Sequence, residues 1–269
     1  MMTPGGVPPR ERRNTVPDGR PGARVRGLNR RSGDARGRYG SRVESERVAV
    51  VGAGRLGTAL ATALRAAGVR VDGPLRRGES PDADATVVLL CVPDAAIAEV
   101  AAAIGTGPLV GHCSGASTLE PLGDHRAFSF HPLMTVPAAG ATDFAGVPCA
   151  VAGDEVARTI AVRLGMRPLA IADADRAAYH AAASMASNFL VTLEDAAARL
   201  GATAGLGRED LLPIVRATVE NWAVLGRAAL TGPIARGDEA TVAKHRQALA
   251  DRTPDLLGLY DALAEVTRR

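Results

Sequence analysis

The chain has 269 residues, of which 46% are hydrophobic, enough to build the core of one large domain or two small ones. Three cysteines at no zinc-like spacing are too few for a disulfide framework, so we expect no metal site and a reducing, cytoplasmic location. No apolar run reaches the roughly 18 residues of a membrane span, and the N-terminus lacks the apolar segment of a secretory signal, so we expect no membrane association.

The net charge of +3 averages two unlike regions. Residues 1–44 contain 11 arginines, four acidic residues and 13 glycines or prolines, a net charge of +7, which leaves −4 for residues 45–269. Because this segment has almost no large apolar side chains to bury, we expect residues 1–44 to form a disordered basic tail. A basic tail can bind nucleic-acid phosphates, but its arginines are not interleaved with aromatic side chains, and we do not predict nucleic-acid binding.

The first predicted element is a buried strand over residues 48–51, followed by apolar residues at helical spacing up to Gly68. Between strand and helix lies the string Gly52-Ala53-Gly54-Arg55-Leu56-Gly57. Gly52 permits a tight turn, Gly54 lets a pyrophosphate approach the backbone, and Gly57 lets helix and strand pack closely. Since the N–H groups at a helix N-terminus attract phosphate, these six residues predict a dinucleotide-binding turn.

The second predicted strand covers residues 69–75, and Arg76 and Arg77 stand just past its end. In dinucleotide-binding folds this position faces the adenosine ribose, where an acid favours NAD and an arginine pairs with the 2′-phosphate of NADP. Asp72 is the rival acidic candidate, but it falls inside the strand. We therefore predict NADP as the cofactor, with NAD as the alternative.

Three further apolar runs predict more strands of the same sheet. They cover residues 86–92, 108–111 and 127–130, and a helix is predicted over residues 95–104. Continuous apolar runs of this length are typical of parallel strands that are buried on both faces. The fold class we predict is α/β, with a Rossmann domain over residues 45–172 built on a doubly wound parallel sheet.

Turn-forming or polar residues follow each of these strands. Val92 and Pro93 close the first, Ser114 follows the second, and His131 follows the third. In doubly wound sheets ligands bind at the carboxyl edge of the strands. We expect Val92 and Pro93 to contact the cofactor, and Ser114 to contact its nicotinamide carboxamide or the substrate.

From residue 173 the pattern changes to long helices without strands. The predicted helices cover residues 177–200, 208–231, 238–250 and 254–266, and together they form an all-helical domain over residues 173–269. On the first helix His180, Ser184 and Asn188 follow at intervals of four and share one face. A polar stripe on an alanine-rich helix indicates a functional face.

Six strings together resemble the family of Rossmann-like proteins that carry a C-terminal domain of unknown function, numbered 2520, a branch of the dehydrogenases related to 6-phosphogluconate dehydrogenase. They are the glycine string above, Val92-Pro93-Asp94, His112-Cys113-Ser114-Gly115-Ala116, Phe130-His131-Pro132-Leu133, Ala186-Ser187-Asn188-Phe189, and Thr231-Gly232-Pro233-Ile234-Ala235-Arg236-Gly237-Asp238 with His245. The resemblance covers roughly residues 45–265. It implies an NAD(P)-dependent oxidoreductase fold with a helical C-terminal domain that often dimerises, so we expect a homodimer.

A more distant likeness is to ketopantoate reductase, whose corresponding helix has a lysine and two asparagines where this chain has His180, Ser184 and Asn188. We expect NADPH-dependent reduction of a small oxo acid or imine, with His180 as the general acid and His131 as the alternative acid. Asn188 would hold the substrate oxygen. Because the lysine is missing, a non-catalytic dinucleotide-binding regulatory protein is the alternative function.

Arg236 is the predicted clamp for a substrate carboxylate, since a guanidinium binds a carboxylate at two points. Asp238 follows closely and has three possible roles. It would orient Arg236, orient His245, or cap the helix that starts there.

Overall fold

The computed structural model describes residues 47–138 and 142–269, so the predicted disordered tail over residues 1–44 lies outside the described residues. Within the described residues the strands are β1 (Arg47–Val51), β2 (Arg70–Leu75), β3 (Val87–Leu90), β4 (Leu109–His112), β5 (Ala127–Pro132), β6 (Pro148–Gly153) and β7 (Arg167–Ala170). The sequence patterns indicated the first five of these strands, while β6 and β7 were not singled out.

The α-helices of the described residues are α1 (Arg55–Ala66), α2 (Ile97–Ala102), α3 (Val156–Arg163), α4 (Arg176–Ser184), α5 (Leu190–Ala202), α6 (Arg208–Leu225), α7 (Glu239–Arg252) and α8 (Leu257–Arg268). A π-helical segment, Met185–Phe189, joins α4 to α5. Short 3-10 segments cover Asp94–Ala96, Glu120–Leu122, Asp173–Asp175, Gly226–Ala229 and Pro254–Leu256. The four long helices predicted after residue 173 are all present, although a π turn interrupts the first of them.

The strands form one sheet in the order β2-β1-β3-β4-β5-β6-β7. β1 to β5 pair in parallel, β6 runs antiparallel to β5, and β7 is parallel to β6. The predicted α/β fold is confirmed, but the sheet is mixed. An antiparallel neighbour can follow without the crossover helix that parallel strands need, and the sequence patterns did not indicate that reversal.

Apolar side chains cover both faces of the sheet, as the doubly wound prediction requires. Val48 and Val50 of β1 belong to a buried cluster with residues of α1 and α3, whereas Ala49 and Val51 belong to a second cluster with residues of α2. Alternate residues of a strand point to opposite faces, so this division follows from the strand itself. After Ala170 only helices follow, while the division of the chain at residue 172 stays a prediction.

The glycine turn after β1 is held by backbone packing. Gly52 has a φ of 114°, and a Cβ atom there would lie 2.3 Å from the carbonyl oxygen of Cys91. A Cβ atom at Gly57 would lie 1.9 Å from the carbonyl oxygen of Gly52, so α1 reaches the turn only because residue 57 lacks a side chain. A Cβ atom at Gly54 would meet no described atom within 4 Å, which leaves open space beside that residue.

These contacts predict effects of different size for two alanine substitutions in the turn. Gly57→Ala should lower the free energy of unfolding by about 1–3 kcal/mol or more, because its methyl group collides with rigid backbone. Gly54→Ala is the matched control and should cost less than about 1 kcal/mol, since the methyl group enters open space. Urea unfolding followed by circular dichroism measures both, and equal stability of Gly57→Ala and the natural protein would contradict the packing argument.

Candidate functional site

The helix that follows the glycine turn presents an unblocked N-terminus. α1 begins after Gly54, no side chain caps it, and its first turn contains no acid. The first N–H groups of a helix have no acceptor within it, so they remain available to an anion. With the open space beside Gly54, the turn fits a pyrophosphate. Arg55 donates to the carbonyl oxygen of Val136 at 3.5 Å, which brings the loop after β5 over the turn, and Leu56 packs against the core.

Arg76 and Arg77 lie where the sequence predicted them, exposed and immediately after β2. The last residue of β2 is tied to the glycine turn, since the N–H of Gly52 donates to the carbonyl oxygen of Leu75 at 2.8 Å. Asp72, the rival acid, accepts a hydrogen bond from the N–H of Asp82 at 2.9 Å and lies inside the strand. The arginine pair therefore makes this end of the turn cationic.

Ser114, in the connection that follows β4, is hydrogen-bonded to the connection that follows β3. Its buried hydroxyl donates to Oδ2 of Asp94 at 2.7 Å and accepts from the N–H groups of Ala116 at 3.2 Å and Ser117 at 2.9 Å. One donor and two acceptor positions are all that a hydroxyl has. These partners already engage the hydroxyl, and the contact of Ser114 with the nicotinamide carboxamide or the substrate stays a prediction. Of the predicted cofactor contacts, Val92 is half-buried and Pro93 exposed at the start of the same connection.

His112 supports the loop that carries Ser114. Its Nε2 lies 2.9 Å from the carbonyl oxygen of Thr118, and its Nδ1 lies 3.2 Å from the N–H of Ser114. Only the neutral tautomer with hydrogen on Nε2 satisfies both contacts. Burial is the main cause that lowers the pKa of His112, which favours this neutral form.

His131 and His180 meet over Gly115, just past the end of β4. Their ring centroids are 6.3 Å apart. A Cβ atom at Gly115 would lie 2.9 Å from Cε1 of His131 and 2.9 Å from Cδ2 of His180, so a side chain at this position would displace the two rings. The structure thus brings both predicted acids to one point on the sheet edge, one from β5 and one from α4. His180 is exposed, whereas His131 is half-buried.

Two residues of this cluster were missed by sequence reasoning. The hydroxyl of Tyr179 lies 2.7 Å from Nδ1 of His131, and Arg176 is almost fully buried at the start of α4. The guanidinium of Arg176 donates to Oγ of Ser129 at 2.5 Å and to Oδ1 of Asp173 at 3.0 Å. Arg176 lies four residues before His180 and Tyr179 one residue before it, but these spacings do not reveal that an arginine will be buried.

The electrostatics of the cluster keep His131 and Tyr179 neutral. Burial is the largest cause lowering the pKa of His131 to about 4, and His180, Arg176 and His112 lower it further, while Asp94 opposes them. Burial also raises the pKa of Tyr179 to about 12. At neutral pH the imidazole of His131 therefore carries one hydrogen, and the phenol keeps its own.

Asn188 and Arg236 are not joined to the histidines by any hydrogen bond recorded among the described residues. Asn188 is exposed within the π segment, where the regular interval of four residues that linked it to His180 is interrupted. Arg236 donates to the carbonyl oxygen of Thr231 in its own loop. The contacts of Asn188 and Arg236 with a substrate stay predictions.

The structure distinguishes between the three roles considered for Asp238. Its carboxylate accepts hydrogen bonds from the N–H of Thr241 at 3.1 Å and from its hydroxyl at 2.7 Å, so Asp238 caps α7. These bonds from Thr241 lower the pKa of Asp238. His245 instead pairs with the hydroxyl of Tyr260, 3.0 Å from Nδ1.

Over residues 47–138 and 142–269, no group of three or more histidines, cysteines or acids is placed to hold a metal ion. In the same part of the chain, no helix has the length and apolar character needed to cross a bilayer.

Comparison with solved structures supports the fold. A presumed NADP oxidoreductase from Bacteroides fragilis is 24% identical, with a TM-score of 0.73 over 84% of this chain and 99% of that one. A Thermotoga maritima protein is 24% identical, with a TM-score of 0.66 over 82% and 96%. A reductive aminase from Aspergillus terreus, in complex with NADPH4, cyclohexanone and allyl amine, is 17% identical, with a TM-score of 0.57 over 83% and 95%. These likenesses show a shared Rossmann-like fold.

No curated protein matches the chain. Residues 146–267 match a domain of unknown function, DUF2520. The match begins before β6, so it includes the last two strands as well as the helices. The C-terminal region of this Rossmann-like protein therefore matches the domain that the sequence strings resembled, and that prediction is confirmed.

Proposed function

We propose that this protein is an NADPH-dependent oxidoreductase that reduces the carbonyl or imine group of a small oxo acid or imine. One observation carries the proposal: the glycine turn and the paired imidazoles of His131 and His180 lie along the same edge of one sheet. Among the structural relatives, the Aspergillus terreus enzyme holds NADPH4 with a ketone and an amine, which supports the same class of chemistry here.

We assign the cofactor cradle to the glycine turn, the start of α1 and the two arginines after β2. The unblocked start of α1 and the open space at Gly54 would hold the pyrophosphate, and Arg76 and Arg77 would pair with the 2′-phosphate. When bound, NADPH supplies the hydride, and the protein must orient the substrate and meet the charge that develops on its oxygen or nitrogen.

His180 is the residue we assign to proton donation. It is exposed, so solvent can restore its proton after each turnover. The low pKa of His131 leaves that imidazole neutral, which makes it a weaker candidate for the acid than His180. Asn188 remains our proposed contact for the substrate oxygen, and Arg236 our proposed carboxylate clamp in the dimer described next.

We further propose that the protein acts as a homodimer. No residue of α5 or α6 is buried in the single chain, although both helices carry large apolar side chains. Trp222 is 65% exposed and Val224 is 83% exposed. Exposed apolar surface on two consecutive long helices indicates a protein interface, and a second copy of this chain would cover it on both partners at once.

We keep the cytoplasmic location as a proposal, and the pair of neighbouring cysteines is compatible with it. Sγ of Cys91 and Sγ of Cys113 lie 3.6 Å apart as free thiols at the ends of β3 and β4. Two thiols this close stay reduced in a compartment such as the cytoplasm, where glutathione and thioredoxin keep protein thiols reduced.

The arginine pair predicts the cofactor preference. Arg76→Ala combined with Arg77→Ala should weaken NADPH binding by about 10- to 100-fold, because charged hydrogen bonds to the 2′-phosphate are lost, and should leave NADH binding nearly unchanged. Fluorescence titration with both nucleotides measures this. Arg158→Ala, which removes a half-buried arginine of α3 that pairs with Glu155, is the control and should retain NADPH affinity. Failure of the natural protein to bind either nucleotide would overturn the proposed function.

His180→Ala should reduce kcat by about 10²- to 10⁴-fold on a carbonyl or imine substrate, with NADPH affinity retained, because the proton donor is lost and the cradle is intact. NADPH oxidation over a panel of small oxo acids and imines provides the assay. His245→Ala, which removes an exposed histidine from α7, should keep full turnover. If NADPH binds and no substrate in the panel is turned over, the non-catalytic regulatory protein becomes the better assignment.

The dimer is tested by light scattering coupled to gel filtration. The natural protein should elute with twice the chain mass, and Val224→Asp should convert it to monomer or aggregate, because a charge enters an apolar interface. Val162→Asp places the same charge on an exposed valine of α3, outside the helical region, and should leave the dimer intact. A monomeric natural protein at micromolar concentration would contradict the proposal.

A further inference from the structure

Tyr179 contacts His131 in a geometry that constrains where the imidazole carries its hydrogen. The phenol oxygen is 2.7 Å from Nδ1, and the two rings meet edge to face at 87° with centroids 5.6 Å apart. Tyr179 belongs to α4 and His131 to the end of β5, so this bond crosses from the helical region to the sheet.

The direction of the bond follows from the acid–base state of the two groups. Burial raises the pKa of the phenol and lowers the pKa of the imidazole, so two neutral groups share the contact. A neutral imidazole offers one N–H donor and one nitrogen acceptor. Since an imidazole nitrogen is a better acceptor than a phenol oxygen and a phenol is a good donor, the hydroxyl of Tyr179 donates to Nδ1. The hydrogen of His131 is then on Nε2.

Nε2 of His131 faces the same point as the ring of His180. A Cβ atom at Gly115 would lie 3.0 Å from Nε2 of His131 and 2.9 Å from Cδ2 of His180. Both atoms thus border the space just above the Cα atom of Gly115. A substrate atom held beside both rings would meet an N–H donor that does not titrate near neutral pH on one side and a solvent-accessible imidazole on the other.

We propose that Tyr179 is a positioning residue that holds His131 as a neutral Nε2–H donor, aimed at the carbonyl oxygen or imine nitrogen of the substrate beside His180. His131 keeps its hydrogen throughout, and its hydrogen bond strengthens as negative charge develops on the acceptor atom. The proton that completes the reduction comes from His180. This inference rests on the proposed reductase function for its kinetic consequence, but its structural part stands without it.

Nuclear magnetic resonance of the full chain labelled with ¹⁵N-histidine tests the structural part. His131 should show the Nε2–H tautomer at pH 7 and should become protonated only near pH 4. The other titratable and charged groups that act on His131 are Asp94, Arg176, His112 and His180. Tyr179→Phe removes the donor to Nδ1, so His131 should become a mixture of tautomers and its pKa should rise, because the bond stabilised the neutral form.

The chain contains a matched control for this experiment. His245 and Tyr260 repeat the contact, with the phenol oxygen 3.0 Å from Nδ1 and the rings edge to face at 86°. Tyr260→Phe should leave the His131 resonances unchanged. An Nδ1–H tautomer of His131 in the natural protein, or an unchanged tautomer in Tyr179→Phe, would overturn the proposal.

Kinetics tests the functional part. Tyr179→Phe should lower kcat by about tenfold, the effect of losing one orienting hydrogen bond, and leave KM within about twofold. In a His131→Gln background, Tyr179→Phe should have no further effect, because Tyr179 acts through His131. Equal losses in both backgrounds would show that Tyr179 acts independently and would reject the positioning role. If the natural protein reduces no substrate, the proposed function fails, while the resonance experiment still decides whether Tyr179 sets the tautomer.

Discussion

The parallel pairing of β1, β3, β4 and β5 is the constraint on which the rest of the site depends. Strands that run the same way end at the same edge, so the four connections that follow them must share that edge. Residues far apart in the chain become neighbours for this reason: Gly52 packs on the backbone of Cys91, and Ser114 bonds Asp94. β6 runs antiparallel to β5, so β5 is the last strand of the set that ends at this edge. The site lies along the edge formed by these parallel strands.

The junction between the sheet and the helical region is polar, and this gives the site its electrostatic character. Arg176 is a buried cation at the start of α4, bonded to Ser129 of β5, and it fixes the first turn of the helix against the sheet. A buried charge must be hydrogen-bonded to be tolerated. Its positive field also helps to keep nearby histidines neutral. The same contact therefore positions the helix and favours neutral donors over charged ones at the rim.

In the proposed homodimer, a second chain would cover the exposed helices of the helical region. Its first turn is anchored on the sheet, yet α5 and α6 bury no residue of their own within the chain. Helices of this kind gain most of their stability from packing an apolar face, and within the single chain these two helices are at most half-buried. The exposed π segment that carries Asn188 lies between the anchored start and these unpacked helices, so a second copy would complete both the packing and the substrate side of the site.

Local sequence determined the parts of this protein that depend on short-range geometry. The glycine turn, the arginines after β2, the first five strands and the long helices could be predicted, because steric limits at glycine and the periods of helix and strand act within a few residues. Tertiary structure alone decided the rest. The contact of Tyr179 with His131, the burial of Arg176 and the requirement for Gly115 join residues from separate elements, and no local period records which elements meet. Ser114 shows the same limit, since the sequence placed it at the rim but only its bonds to Asp94 and Ser117 showed that the hydroxyl is already engaged.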